Sequence, residues 1–295
     1  MTTVLFLGCG TIGQACVEAC EDPRIQWLGV RRRPVKSDRL APEEETLRWL
    51  ALDLTDPSAF ASLPDEVSVI VYTPAPRRSQ PSSYAQVYPS VVQSLIKKYQ
   101  KAQSLRRIIL VSSTRVYGER GGAWVDENTA VEPEDDASRA IVTAEQALIQ
   151  AFPKRATVLR LAGIYGPGRY WQIKRVLRGE AFRHQPPYFT NRIHQTDVVN
   201  ILLTLVNRSL DDSLIDPLIL GVDDAPVAEA ELGQWLANQL SVELKLKQAT
   251  GMPALQNKRC RNLGLQKLGF QYQYPSYQAG YAELVQAVLS GDVEL

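Results

Sequence analysis

Along the first 165 positions, hydrophobic residues fall in short, nearly continuous runs separated by longer stretches with helical spacing. The runs are TVLFLG (3–8), IQWLGV (25–30), LRWLAL (47–52), VSVIVYT (67–73), RRIILVSS (106–113) and ATVLRLAG (156–163). Runs of this length with little apolar/polar alternation suit strands buried on both faces. Between them, apolar residues recurring at three- and four-residue intervals predict helices at 11–21, 57–63, 82–103 and 134–151. Alternation of this kind predicts an α/β protein, a doubly wound Rossmann sheet of parallel strands with right-handed crossovers.

Beyond residue 165 the pattern loosens. A helix near 170–178 precedes HQPPYFTNRIH, a loop with two adjacent prolines. TDVVNILLTLVN (196–207) reads as a helix, 214–221 as a strand, and the tail as two or three short helices with a weak strand, VELKLK. The expected organisation is a Rossmann domain over 1–165, to which 196–207 and 214–221 return. A small C-terminal α/β lobe over 166–195 and 222–295 would receive a substrate or effector.

Composition narrows the function classes. Apolar residues make up 45% of the chain and charged residues 22%, as in ordinary globular proteins. A formal net charge of +1 gives no general attraction to nucleic acid or anionic lipid. The opening MTTVLFLGCG has no basic n-region, and no apolar run approaches the roughly 20 residues of a membrane span. Cys9, Cys16, Cys20 and Cys260 read as free thiols in a reducing, cytoplasmic setting. No His, Cys, Asp and Glu cluster has metal-ligand spacing, so no metal is expected.

The first candidate chemistry is VLFLGCGTIGQACVEAC. Gly8, Gly10 and Gly13 sit between a buried strand and an amphipathic helix. The first glycine permits a tight turn, the second lets backbone approach a pyrophosphate, and the third lets helix and strand pack closely. Thr11 and Ile12 open the helix, whose N-terminal amides and positive dipole end would face the phosphates. After the second strand, NAD-binding folds usually carry an acid for the ribose hydroxyls. Here the residues are Arg31, Arg32 and Arg33. Guanidinium groups cannot accept from a hydroxyl, but they donate well to a 2′-phosphate. Arg31 and Arg32 therefore favour NADP(H) over NAD(H), against the alternative of a solvated basic turn. Asp53 is a candidate acceptor for the adenine amino group or, equally, a turn-forming Asp. Leu54, Thr73, Pro74 and Ala75 complete the candidate cofactor set.

VSSTRVYG (111–118), together with the glycine loop and RLAGIYGPGR (160–169), resembles the extended short-chain dehydrogenase/reductase family, the NAD-dependent epimerase/dehydratases. NRIHQTDVVN (191–200) and LGFQYQYPSYQAGYAEL (268–284) are similar to two further family segments, and TPAPRR (73–78) to an atypical subgroup. The resemblance implies general acid–base catalysis by a Tyr-x-x-x-Lys pair, with a strand-end hydroxyl that the motif places at Ser113. The pair should fall eight and four residues before Glu145. Those positions hold Ala137 and Ile141, neither of which carries a proton.

Tyr117 and Tyr165 are candidate replacement acids, with packing or cofactor positioning as the competing reading. Arg192 and His194 match positions near the family's substrate pocket, and Asp197 reads as a helix N-cap or its neighbour. Arg77 and Arg78 follow the fourth strand at its carboxyl end, where open α/β sheets bind ligands. The resemblance also implies a homodimer formed through the helices at 82–103 and 134–151. Two functions remain in view. One is an NADP(H)-dependent oxidoreductase or epimerase-like enzyme for a small polar, sugar or sugar-nucleotide-like substrate with a non-standard acid. The other is a non-catalytic dinucleotide-binding redox sensor.

Overall fold

A computed structural model describes residues 2–33, 47–76, 80, 82–248, 256–293 and 295. Its centre is a seven-stranded sheet of β1 (Thr2–Leu7), β2 (Ile25–Arg31), β3 (Leu47–Ala51), β4 (Val69–Tyr72), β5 (Arg107–Ser113), β6 (Ala156–Leu161) and β7 (Leu218–Gly221). The strand order is β7-β6-β5-β4-β1-β2-β3. The pairs β1·β2, β1·β4, β2·β3 and β4·β5 run parallel, with Leu7 opposite both Val30 and Tyr72. Val4 to Leu7 and Val69 to Val71 are fully buried, the solvation that their unbroken apolar runs call for. The order reverses direction at β1/β4, so the loops after these two strands flank a topological switch point.

Helix α1 (Thr11–Glu18) follows β1 directly. The helix expected over 82–103 is broken into Ser82–Ala85, a π-helical turn over Gln86–Ser90 and α2 (Val91–Tyr99). Pro89 lies inside that turn. It has no N–H to give and its ring crowds the preceding turn, which the wider π turn absorbs. Helix α3 (Asp136–Ala151) begins with a capping box: Asp135 accepts from the Ser138 amide at 2.7 Å, and Ser138 Oγ accepts from the Asp135 amide at 3.1 Å. Helix α4 spans Gln195–Leu210.

Contacts divide the chain into two compact units. The first comprises Met1–Val116, Pro133–Arg160 and Val199–Ile219 and holds most of the sheet. The second comprises Tyr117–Glu132, Leu161–Val198 and Leu220–Leu295. Its core packs Tyr165, Phe182, Leu236, Tyr281 and Leu284 from short strands and from helices α5 (Glu229–Gln239) and α6 (Tyr277–Leu289). The weak strand expected in VELKLK forms at Leu246–Gln248, one pairing of two short strands with Phe182–Gln185. Among the described residues, no helix is long and apolar enough to cross a membrane. No group of three or more His, Cys, Asp or Glu there could hold a metal ion.

Candidate functional site

The three glycines of the first loop meet three different environments. Gly8 has φ +77°, and a Cβ there would lie 2.5 Å from the Thr73 carbonyl oxygen. Only glycine takes that backbone at that distance. The contact is tight because the ends of β1 and β4 are tied together: the Thr73 amide donates to Leu7 O at 3.0 Å and its hydroxyl to Gly8 O at 2.8 Å. At Gly13 a Cβ would come 2.7 Å from Cys9 Sγ and 2.9 Å from Phe6, so this glycine sets helix-to-strand packing. At Gly10 the nearest atom to a Cβ is 3.9 Å away. Protein does not fill that space, and no side chain caps α1 at Gly10. The amides of Thr11 and Ile12 thus open α1 beside vacant volume, as an anionic ligand requires.

The loop forms one wall of a cleft of about 440 Å³ within the first unit. Gly8, Gly10, Arg31, Arg32, Asp53, Leu54, Thr73, Pro74 and Ala75 line it, so most of the candidate cofactor set converges on one cavity of the size small ligands use. Leu52, Tyr72, Ser83, Gln86 and Val87 line it as well and carried no signal in the sequence. Asp53 accepts from the Thr55 amide at 3.0 Å and from its hydroxyl at 2.7 Å. These bonds hold its carboxyl below the usual range. Asp53 is therefore a turn-forming Asp that also reaches the cleft. Arg32 is exposed at the rim.

Arg31 is half-buried. Its guanidinium carbon lies 4.5 Å from the centre of the Trp49 ring, and Nη1 is 3.5 Å from Gln14 Oε1. Its Nε and Nη2 are buried with no partner among the described residues. Buried N–H groups of a permanent cation are costly to leave unmatched. The glycine loop, the open space beside Gly10 among the described residues and the Arg31 and Arg32 cations in the lining fit an anionic dinucleotide.

The two positions that should carry the proton-transfer pair are enclosed. Ala137 and Ile141 are buried on α3, as is Glu145 further along the same face. Glu145 forms a buried bidentate pair with Arg160, at 2.6 Å between Nη2 and Oε2, and accepts a hydrogen bond from Ser112. Ser113, the next residue, is half-buried at the end of β5, and its Oγ accepts from the Arg115 amide at 3.3 Å. Arg139 points outward and pairs with Asp136 at 2.7 Å.

The two candidate replacement acids are both enclosed. Tyr117 is fully buried, and its hydroxyl donates to the Asp126 carbonyl at 2.8 Å. Tyr165 is buried, stacked on Tyr281 at 4.5 Å between ring centres, and burial pushes its phenol far above the ordinary range. His194 is likewise buried, against Tyr274 at 3.8 Å and Tyr165 at 5.2 Å between ring centres. Its Nδ1 accepts from the Thr196 amide at 3.2 Å, and burial lowers its pKa, which favours the neutral imidazole. Asp197 is no N-cap: it lies within the first turn of α4 and accepts from the amides of Gln273 at 2.8 Å and Tyr274 at 3.0 Å. Arg192 is buried, donates to Thr190 Oγ1 and faces the Tyr277 ring at 5.6 Å, leaving Nη1 unmatched among the described residues. Arg77 and Arg78 lie outside the described residues. All four cysteines are free, and burial pushes the thiols of Cys9 and Cys260 up to about 12, which leaves them inert.

Comparison with known proteins follows this geometry closely. The model of the NAD dependent epimerase/dehydratase family matches residues 4–208. Protein YeeZ of Escherichia coli K12 is 31% identical over 213 residues, which cover 70% of this chain and 73% of that protein. A solved structure from Methylobacillus flagellatus, described as an NAD-dependent epimerase/dehydratase, is 27% identical. The match covers 98% of this chain and 99% of that one, with a TM-score of 0.75. The dTDP-glucose 4,6-dehydratase of Bacillus anthracis str. Ames, solved in complex with NAD, has a TM-score of 0.77 over 99% and 98% of the two chains. At 16% identity that likeness is one of fold alone.

Proposed function

The chain belongs to the NAD dependent epimerase/dehydratase family, and from that premise we propose that it binds NADP(H) in the cleft beside the glycine loop. We read it as an oxidoreductase or epimerase-like enzyme for a small polar substrate of the sugar or sugar-nucleotide kind. The observation that carries the cofactor reading is Arg31, a permanent cation that lines the cleft and whose Nε and Nη2 have no partner among the described residues. The relatives described above are associated with NAD; the preference for the 2′-phosphate rests on this chain's own residues.

In this reading, the bound dinucleotide supplies hydride chemistry. The loop amides hold its pyrophosphate, Arg31 and Arg32 its 2′-phosphate, and Asp53 its adenine. Ser113 hydrogen-bonds the substrate oxygen. Proton transfer belongs to a group other than the Tyr–Lys pair, since Ala137 and Ile141 stand in its place. Family membership weighs for a catalyst over a cofactor sensor.

The test is a calorimetric titration with NADPH, NADP⁺, NADH and NAD⁺, repeated on Arg31→Ala. Charge-assisted hydrogen bonds contribute about 1.5–3 kcal/mol each, so Arg31→Ala should weaken NADPH by about 10- to 100-fold. NADH should change little. Equal losses for the two reduced forms would remove the NADP(H) assignment, and binding of none of the four would remove the enzyme reading altogether.

A further inference from the structure

Arg31 is held in place from an unexpected quarter. We propose that Trp49, packed against Gly29, is the positioning residue that holds the Arg31 guanidinium at the cleft wall for the cofactor's 2′-phosphate and so sets cofactor preference; this rests on the reading that the cleft takes NADP(H).

Alternation along a strand places residues 29 and 31 of β2 on one face, and residues 49 and 51 of β3 on the same face of the sheet. The register pairs Gly29 with Trp49 and Arg31 with Ala51. A Cβ at Gly29 would lie 2.8 Å from Trp49 Cζ3 and 2.9 Å from Cε3. Only an absent side chain lets the indole lie across β2. From there its face reaches the neighbouring guanidinium at 4.5 Å. Ala51, opposite Arg31, is too small to reach across to it. From the other side, Gln14 on α1 accepts from Nη1.

Ring and amide together decide which edge of the guanidinium is spoken for. Nη1 goes to Gln14. Nε and Nη2 share the opposite edge and point the same way, and both lack a partner among the described residues. Arg31 itself lines the cleft, and a permanent cation there attracts a phosphate dianion, which a ribose hydroxyl does not replace. A Lys at position 31 has no planar group to lay on the Trp49 ring. Trp49 also shields the cation from water, which strengthens its pull on an anion.

The experiment is equilibrium binding of NADPH and of NADH to wild type, Trp49→Leu, Trp49→Phe and Gln14→Leu, with folding checked by circular dichroism. Trp49→Leu should weaken NADPH by about 3- to 30-fold, the span of a partly desolvated cation–π contact. NADH should stay within about 2-fold, since it has no 2′-phosphate to meet Arg31. Trp49→Phe keeps an aromatic face and should recover most of the loss. Gln14→Leu, which leaves the strand packing alone, should also lose NADPH selectively and serves if Trp49→Leu does not fold. An unchanged NADPH-to-NADH ratio in Trp49→Leu or in Gln14→Leu, with wild type preferring NADPH, overturns the positioning role while the cofactor reading stands. A wild type that does not prefer NADPH overturns both.

Discussion

Gly10 and Gly13 are the same residue type under opposite constraints. A methyl group at Gly10 meets nothing closer than 3.9 Å, whereas one at Gly13 would sit 2.7 Å from Cys9 Sγ. Gly10→Ala should therefore fold with stability within about 1 kcal/mol of wild type, the loss expected of a Gly helix cap. The new methyl occupies the approach to α1's free amides, so dinucleotide affinity should fall at least about tenfold. Gly13→Ala should lose about 1–3 kcal/mol from overpacking, read in urea denaturation. Wild-type affinity in Gly10→Ala would show that no phosphate passes there. The glycines were legible in the sequence because their demands are local and stereochemical. Tyr117, Tyr165 and His194 were not. A phenol or imidazole has the same letter whether it faces substrate or is enclosed by Tyr281 and Tyr274, and long-range packing made that choice.

Helix α3 shows how an element can keep its shape while losing the family's chemistry. Its apolar face carries Ala137, Ile141, Ala144 and Leu148, and its capping box closes the first turn. The charge on that face is Glu145, matched by Arg160 of β6 and by Ser112 of β5. Removing one partner of a buried pair leaves the other uncompensated, at about 3–5 kcal/mol. Glu145→Ala should lose stability on that scale in chemical denaturation, and Glu145→Gln, which keeps an acceptor of the same shape, should lose less. A loss under about 1 kcal/mol in Glu145→Ala would mean the pair contributes nothing net. The periodicity that predicts α3 also predicts one unbroken helix over 82–103. Pro89 defeats that expectation, because hydrophobic spacing does not register how a turn disposes of a missing N–H.

At the scale of the whole molecule, stability and pH are coupled through Asp223 in the second unit. It is buried, with one carboxyl oxygen unmatched among the described residues, and burial pushes its pKa up to about 7 despite the nearby Arg192 charge. A carboxyl raised in the folded state is bound to its proton there at pH values where the unfolded chain, near 3.9, has released it. Its contribution is full below about pH 4 and is lost as pH rises through about 7. Asp223→Asn keeps the acceptor for the Ala225 amide and removes the titration. Relative to wild type, Asp223→Asn should gain unfolding free energy between pH 5 and pH 8, by up to a few kcal/mol at about 1.4 kcal/mol per pKa unit, read by urea denaturation at each pH. A constant difference between the two proteins across that range would show that Asp223 does not titrate there. The sequence by itself determined the strand runs, the glycine loop, the arginines after β2 and the substitution of the Tyr–Lys pair, since each depends on local periodicity, backbone stereochemistry or residue identity. Tertiary structure alone decided that Arg31 lies against the Trp49 ring, that Gly29 makes room for Trp49, and that Glu145 answers to Arg160. Those outcomes depend on which residues from distant parts of the chain share one buried space, and no local pattern encodes that.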